Sequence, residues 1–179
     1  MLARIGARER RSPVENAIVE RGTARNAPAR NDDISALSSR LGVQLPASYV
    51  AYLQVTDGSL HPGTDGLLLP VSRVDRLSVA LPEQARTIAA GPASYDCDPA
   101  QTLAPRAVSG ELRREALLHA LAVSEVASGQ FIALLSDESS RVSAVAFDFW
   151  DVPRLYADFF DLMLDEVERS LAALDSAIP

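Results

Sequence analysis

A chain of 179 residues has room for one domain and a short appendage, not for two independent enzymatic domains. With 47% hydrophobic and 23% charged residues it can bury a core, while one cysteine and two histidines exclude an internal disulfide framework and any multi-cysteine metal centre. The net charge of −7 divides into seven Arg against three Glu over residues 1–30 and ten Arg against 21 acids over residues 31–179; that acidic body repels nucleic acid and attracts basic partners.

Residues 1–30 mix Arg, Ala, Gly and Pro with little periodicity, which predicts a loosely ordered arm with at most one short helix around residues 14–20. Its opening lacks the apolar core and small-residue cleavage site of a secretory signal, and no apolar run approaches the roughly 20 residues of a membrane span, so cytoplasmic residence is the expectation. From residue 31 the signals sharpen. Asp32 and Asp33 suit an N-cap, Ile34, Leu37 and Leu41 recur at helical spacing, and Gly42 stands where a left-handed C-terminal residue belongs. A second helix follows, with Pro46 at its first position and Tyr49, Val50 and Leu53 on its apolar face, ended by Asp57-Gly58.

Residues 57–66 read as a turn-rich loop and residues 67–71 as a first strand. Residues 74–81 and 83–90 each allow a helical turn or two, and residues 91–110, holding Pro92, Pro99 and Pro105, read as a long loop. Residues 117–123, 130–135 and 142–149 are apolar runs separated by turn signals, as in successive antiparallel strands, although 117–123 also suits a helix continuing from Glu111.

A last helix is predicted over residues 153–174. On it Leu155, Phe159, Phe160, Met163, Val167, Leu171 and Leu174 share a broad apolar face, and Asp158, Asp161, Asp165 and Glu168 share the opposite one. Such an acid stripe is either an ordinary solvated face or a docking surface for a basic partner. On the docking reading, replacing Asp161 and Asp165 by Asn is expected to leave stability unchanged or slightly improved but to weaken partner capture in low salt.

The chemical vocabulary of common enzymes is missing: there is no nucleophile elbow, P-loop or zinc-protease helix. His61, in a Gly/Pro-rich loop with Asp65, lacks a third ligand nearby; His119, within an apolar run, reads as a half-buried or edge residue. Cys97 lies between Asp96 and Asp98, which disfavour its thiolate. Asp148 and Asp151 could be proposed as a glycosidase-like carboxylate pair, but reading them as turn-solvating acids beside an anchoring aromatic is simpler. Trp150, the one tryptophan, is with Asp148 and Asp151 a candidate border of a partner site.

The series Ile34, Leu37, Leu41-Gly42, Leu45-Pro46, Tyr49, Leu53 and Asp57-Gly58 resembles the opening of the SMI1/KNR4 family of the SUKH superfamily. The turn and strand from Ser128-Gly129 through Leu134, and the terminal run from Tyr156 to Leu164, are similar to later parts of that family. The resemblance covers about four fifths of the chain. Residues 82–110 are longer and richer in proline than the family pattern, and Ser128-Gly129 lacks its acidic residue. The resemblance implies an α+β fold over residues 31–179, with a largely antiparallel sheet packed by helices and a long C-terminal helix. It also implies a non-catalytic binding role without cofactor or metal. Bacterial members act as immunity proteins that neutralise a cognate toxin, often a nuclease; fungal members are regulatory scaffolds. The expected partner is a basic protein, not nucleic acid, a membrane or a small-molecule substrate. The candidate contact residues are Asp148, Trp150, Asp151, Asp158, Asp161, Asp165 and Glu168.

Overall fold

The computed structural model describes residues 26–60, 66–99, 104–135, 144–149 and 151–177. Helices α1 (Asn31–Leu41) and α2 (Ala47–Leu53) come first, then a small antiparallel ladder of β1 (Ser59–Leu60) and β2 (Leu67–Leu68). After β3 (Asp75–Arg76), α3 (Leu77–Ala80) and α4 (Pro82–Ala90), a second ladder pairs β4 (Ser94–Cys97) with β5 (Gly110–Arg113). The chain continues through α5 (Arg114–His119), β6 (Leu121–Ala122), β7 (Gln130–Leu134), β8 (Ala144–Asp148) and β9 (Arg154–Tyr156) to α6 (Phe159–Ala177). The main sheet runs β3-β6-β7-β8-β9, every neighbouring pair antiparallel. The fold is therefore α+β, with a mostly antiparallel sheet and a C-terminal helix. Among the described residues no helix is long and apolar enough to cross a membrane.

Side chains alternate across a strand, so the register sorts them into two cores. Phe131, Ala133, Val145, Phe147 and Leu155 point to one face, where Leu77, Ile88, Leu112 and Leu117 cover them. Ile132, Leu134, Ala144, Ala146 and Tyr156 point to the other, under Ile34, Leu37, Tyr49 and Leu53 of α1 and α2 and Phe159 and Leu162 of α6. Burial on both faces is why β7 and β8 read as continuous apolar runs instead of alternating ones. The turn ahead of β7 is as expected: Ser128 and Gly129 both adopt positive φ, 51° and 81°, between paired Ala127 and Gln130.

Gly42 takes the left-handed conformation expected of it, but α1 begins one residue before Asp32. Arg30 is the N-cap and makes no side-chain cap bond; its guanidinium instead grips Asp33 at 2.9 and 3.1 Å, holding that exposed carboxyl below its ordinary pKa. The end of the expected loose arm belongs to the domain. Ala29 is buried and donates to the Leu53 carbonyl, and the Ala27 carbonyl accepts from the Asp57 amide. Residues 1–25 lie outside the described residues.

Three expectations need correction. The first strand is β1, not residues 67–71, of which 67–68 form its partner β2. Residues 91–110 contain β4 and close onto β5 in a four-residue register from Ser94↔Arg113 to Cys97↔Gly110. Pro92 and Pro99 flank β4 without entering it, so the prolines bound a strand where they suggested a loop. The last helix starts at Phe159, not at 153, because residues 154–156 pair with β8. The Asp158 carboxylate accepts the Phe160 amide at 2.7 Å, a capping geometry that fixes the new start. Residues 117–123 divide between the two readings, helical to His119 and strand at 121–122.

Candidate functional site

The β4-β5 ladder lies beside the end of β8 and the turn into β9. Cys97 is buried and Tyr95, two residues earlier, leans on Phe147 edge to face at 5.3 Å, while Asp96 points outward. Phe147 in turn contacts Phe149 at 5.2 Å and stacks on Phe131 at 5.3 Å, so packing on the core holds both aromatic rims in place. Between them opens a cleft of about 410 Å³ lined by Tyr95, Asp96, Phe149, Asp151, Val152 and Pro153. Asp96 and Asp151 are exposed, and the Asp151 carboxylate accepts the Val152 amide at 2.7 Å. Aromatic faces and carboxylates both attract positive charge, and a guanidinium or ammonium on an apolar stem matches that lining. Among the described residues no group of three or more His, Cys, Asp or Glu is placed to hold a metal.

Of the residues singled out in the sequence, Asp151 lines this cleft. Trp150 lies outside the described residues. Asp148 does not join Asp151: in register with Gln130, it sits on the opposite sheet face, buried, and accepts the Gln130 side-chain amide at 2.6 Å. Asp148 therefore does not line the cleft with Asp151. Sequence reasoning does not join Tyr95, Asp96 and Phe149 to Asp151, because only the β4-β5 pairing brings Tyr95 and Asp96 to the β8 end.

The acid stripe of the last helix is not one surface. Asp158 is the cap of α6, and Asp161 is half-buried. Asp165 is fully buried and receives the Arg106 backbone amide at 3.1 Å and its guanidinium at 3.0 Å; Glu168 takes the same guanidinium at 2.6 and 2.9 Å. These carboxylates raise the Arg106 pKa, Glu168 first, and Arg106 holds Glu168 below its ordinary value. Asp165 thus acts inside the fold, and its replacement by Asn is not the neutral change that the helical wheel suggests. Beneath α6, Arg154 and Glu166 form an ion pair at 2.7 Å with both side chains almost wholly buried. Among the described residues Arg154 Nε and Nη1 and the Tyr156 hydroxyl have no hydrogen-bond partner of good geometry.

His119 is exposed at the end of α5, not half-buried, and its carbonyl accepts from Arg76. His61 lies outside the described residues. Burial, more than the neighbouring Asp96, pushes the Cys97 thiol up to about 11. Burial likewise pushes the Tyr52 and Tyr156 phenols up to about 12, and Tyr49 higher still. Raised values for groups that are neutral when protonated mean that the folded state keeps protons which the unfolded chain releases. Stability is then level below the unfolded pKa values, about 8.5 for thiol and 10 for phenol, and falls above them. The slope is about 1.4 kcal/mol per pH unit for each group ionised in the unfolded state alone. Circular dichroism should show cooperative unfolding between about pH 10 and 11.5; a fold intact beyond about pH 12 would contradict these burials.

Compared with protein-family models and with curated proteins, the chain matches none.

Proposed function

We propose that this chain is a non-catalytic, protein-binding domain of the SMI1/KNR4 type, acting in the cytoplasm as an immunity protein that occupies the surface of a basic toxin domain. The carrying observation is the cleft in which Tyr95 and Phe149 stand beside Asp96 and Asp151. In this reading it receives an Arg or Lys side chain of the partner, with the aromatics packing on the stem or stacking on the guanidinium and the acids pairing with its charge. The acidic body of residues 31–179 adds long-range attraction and speeds encounter. The paired helices before Asp57-Gly58, the antiparallel sheet and the terminal helix support the family reading, although each is a folding device more than a chemical signature.

The test is co-expression with the product of the adjacent gene, scored for growth rescue and for a stoichiometric complex. The wild-type chain should do both. Asp96→Asn/Asp151→Asn should weaken the complex by about 30-fold or more, the range found when one side of a desolvated charge pair is removed. A complex without growth rescue would favour the regulatory-scaffold alternative; neither would remove the proposal.

A further inference from the structure

The cleft meets β4 at its edge. Tyr95 and Asp96 are consecutive in a strand, so their side chains point to opposite faces of the β4-β5 ladder, yet both line the cleft. A cavity that touches both reaches the strand edge-on. No residue of β5 lines it, so it opens on the edge turned away from β5.

The register fixes which backbone groups lie along that edge. The Arg114 amide donates to the Ala93 carbonyl at 2.9 Å, one step beyond the Ser94↔Arg113 pair. Bonded and non-bonded pairs alternate along an antiparallel ladder, so Tyr95 and Cys97 exchange hydrogen bonds with Leu112 and Gly110. The amides and carbonyls of Ser94 and Asp96 therefore face away from β5. Among the described residues β4 pairs with no second strand, and these four groups have no partner. On the far wall the Val152 amide is taken by the Asp151 carboxylate and Pro153 has none, so that wall adds apolar side chains and not a second ladder.

The ligand that matches amides and carbonyls at alternate residues of an extended edge is the backbone of another extended chain. Charge selects its side chain. Asp96 and Asp151 are exposed, and among the described residues neither joins an ion pair. A residue opposite Asp96 in an added strand projects to the same face as the Asp96 carboxylate, where Arg or Lys makes a cross-strand pair. A second copy of the chain fits poorly, because it would bring its own Asp96 and Asp151 to the same place. We propose that β4 accepts an added strand, an extended segment of the partner protein with Arg or Lys opposite Asp96. This rests on the cleft being the site of a partner cation, and adds that the cation arrives on a strand and not on a helix.

The probe is a capped heptapeptide of alternating Thr and Val with Arg at its centre, titrated into the full chain and followed by amide NMR. The Ser94 and Asp96 amides should shift and exchange more slowly with solvent in the complex, while those of Tyr95 and Cys97, already in the ladder, change little. The same peptide with Gln for Arg should bind about tenfold more weakly. Two further Arg peptides carry N-methyl groups at alternate residues in opposite phase. One phase blocks the amides turned to β4 and should lose binding; the other should keep it. Ser94→Pro retains both carboxylates and removes one outward amide at an edge position that tolerates proline, so it should weaken the Arg peptide about fivefold or more. Binding by both N-methylated peptides with the Gln peptide still weak would overturn strand addition and leave the cation reading standing. Equal binding of the Arg and Gln peptides would overturn both. No binding of the Arg peptide, loss of binding in both phases, or self-association of the chain that Ser94→Pro abolishes would also overturn the added strand.

Discussion

Glu166→Ala should destabilise the fold by about 3–5 kcal/mol, the range for removing one member of a buried ion pair and leaving its partner charged and unpaired. Arg154 is 2% exposed, meets Glu166 through Nη2 at 2.7 Å, and among the described residues finds no partner of good geometry for Nε or Nη1. The guanidinium is already under-satisfied, so loss of its one carboxylate leaves a cation with little to replace water. For the same reason the pair as a whole contributes little net stability. Arg154→Met/Glu166→Leu should return to within about 1 kcal/mol of the wild type or exceed it. Urea denaturation of the two variants checks both statements, and a single variant that loses less than about 1 kcal/mol would show that water reaches Arg154.

Gly58→Ala should lose about 2–4 kcal/mol, for two additive reasons. Its φ of +80° penalises any side chain, and a Cβ there would stand 2.7 Å from the Leu68 carbonyl oxygen and 3.0 Å from the Pro70 nitrogen. Both obstacles are backbone and cannot swing away. The surroundings lock the turn further, since the Thr56 hydroxyl donates to the Gly58 carbonyl and the Asp57 carboxylate accepts the Val71 amide. Gly42 is the internal control: its φ is +63°, but a Cβ meets nothing within 4 Å, so Gly42→Ala should cost only about 1 kcal/mol. Thermal melting that ranks the two variants equally would contradict the close approach at Gly58.

The turn explains why Asp57-Gly58 is readable as a signal in the sequence while its purpose is not. The pair does not merely stop α2, which ends at Leu53; it passes the chain against the backbone of Leu68 to Pro70, at and just beyond the end of β2. Other elements are legible for simple reasons. The αL glycine after α1, the two-residue turn at Ser128-Gly129 and the apolar runs of β7 and β8 each follow from local chemistry. What escapes depends on distant pairing. Residues 154–156 carry a plausible helical pattern, yet β8 offers them a ladder. The same pairing puts Arg154 and Tyr156 on the face that α6 covers, where Glu166 meets Arg154. Once Phe159 is seated against Tyr49 and Tyr52, the rotation of α6 is set, and the face expected to be apolar and buried turns partly outward. A helical wheel ranks faces by hydrophobicity alone, and Arg106 and Arg154, both outside the helix, reverse that ranking at Asp165 and Glu166. The cleft escapes for a related reason: Tyr95 and Asp96 reach Phe149 and Asp151 only through the β4-β5 ladder, inside a stretch whose prolines suggest a loop.

The claim that a preformed acidic and aromatic cleft grips a cationic side chain of a protein partner is tested most directly by the salt dependence of affinity. Titration calorimetry of the wild-type chain and of Asp96→Asn/Asp151→Asn against the purified product of the adjacent gene, at low and at high salt, supplies it. Tight one-to-one binding that weakens with salt is expected in the wild type, and in the variant a weaker complex with a shallower salt dependence. Identical affinity and identical salt dependence in the two proteins would contradict it.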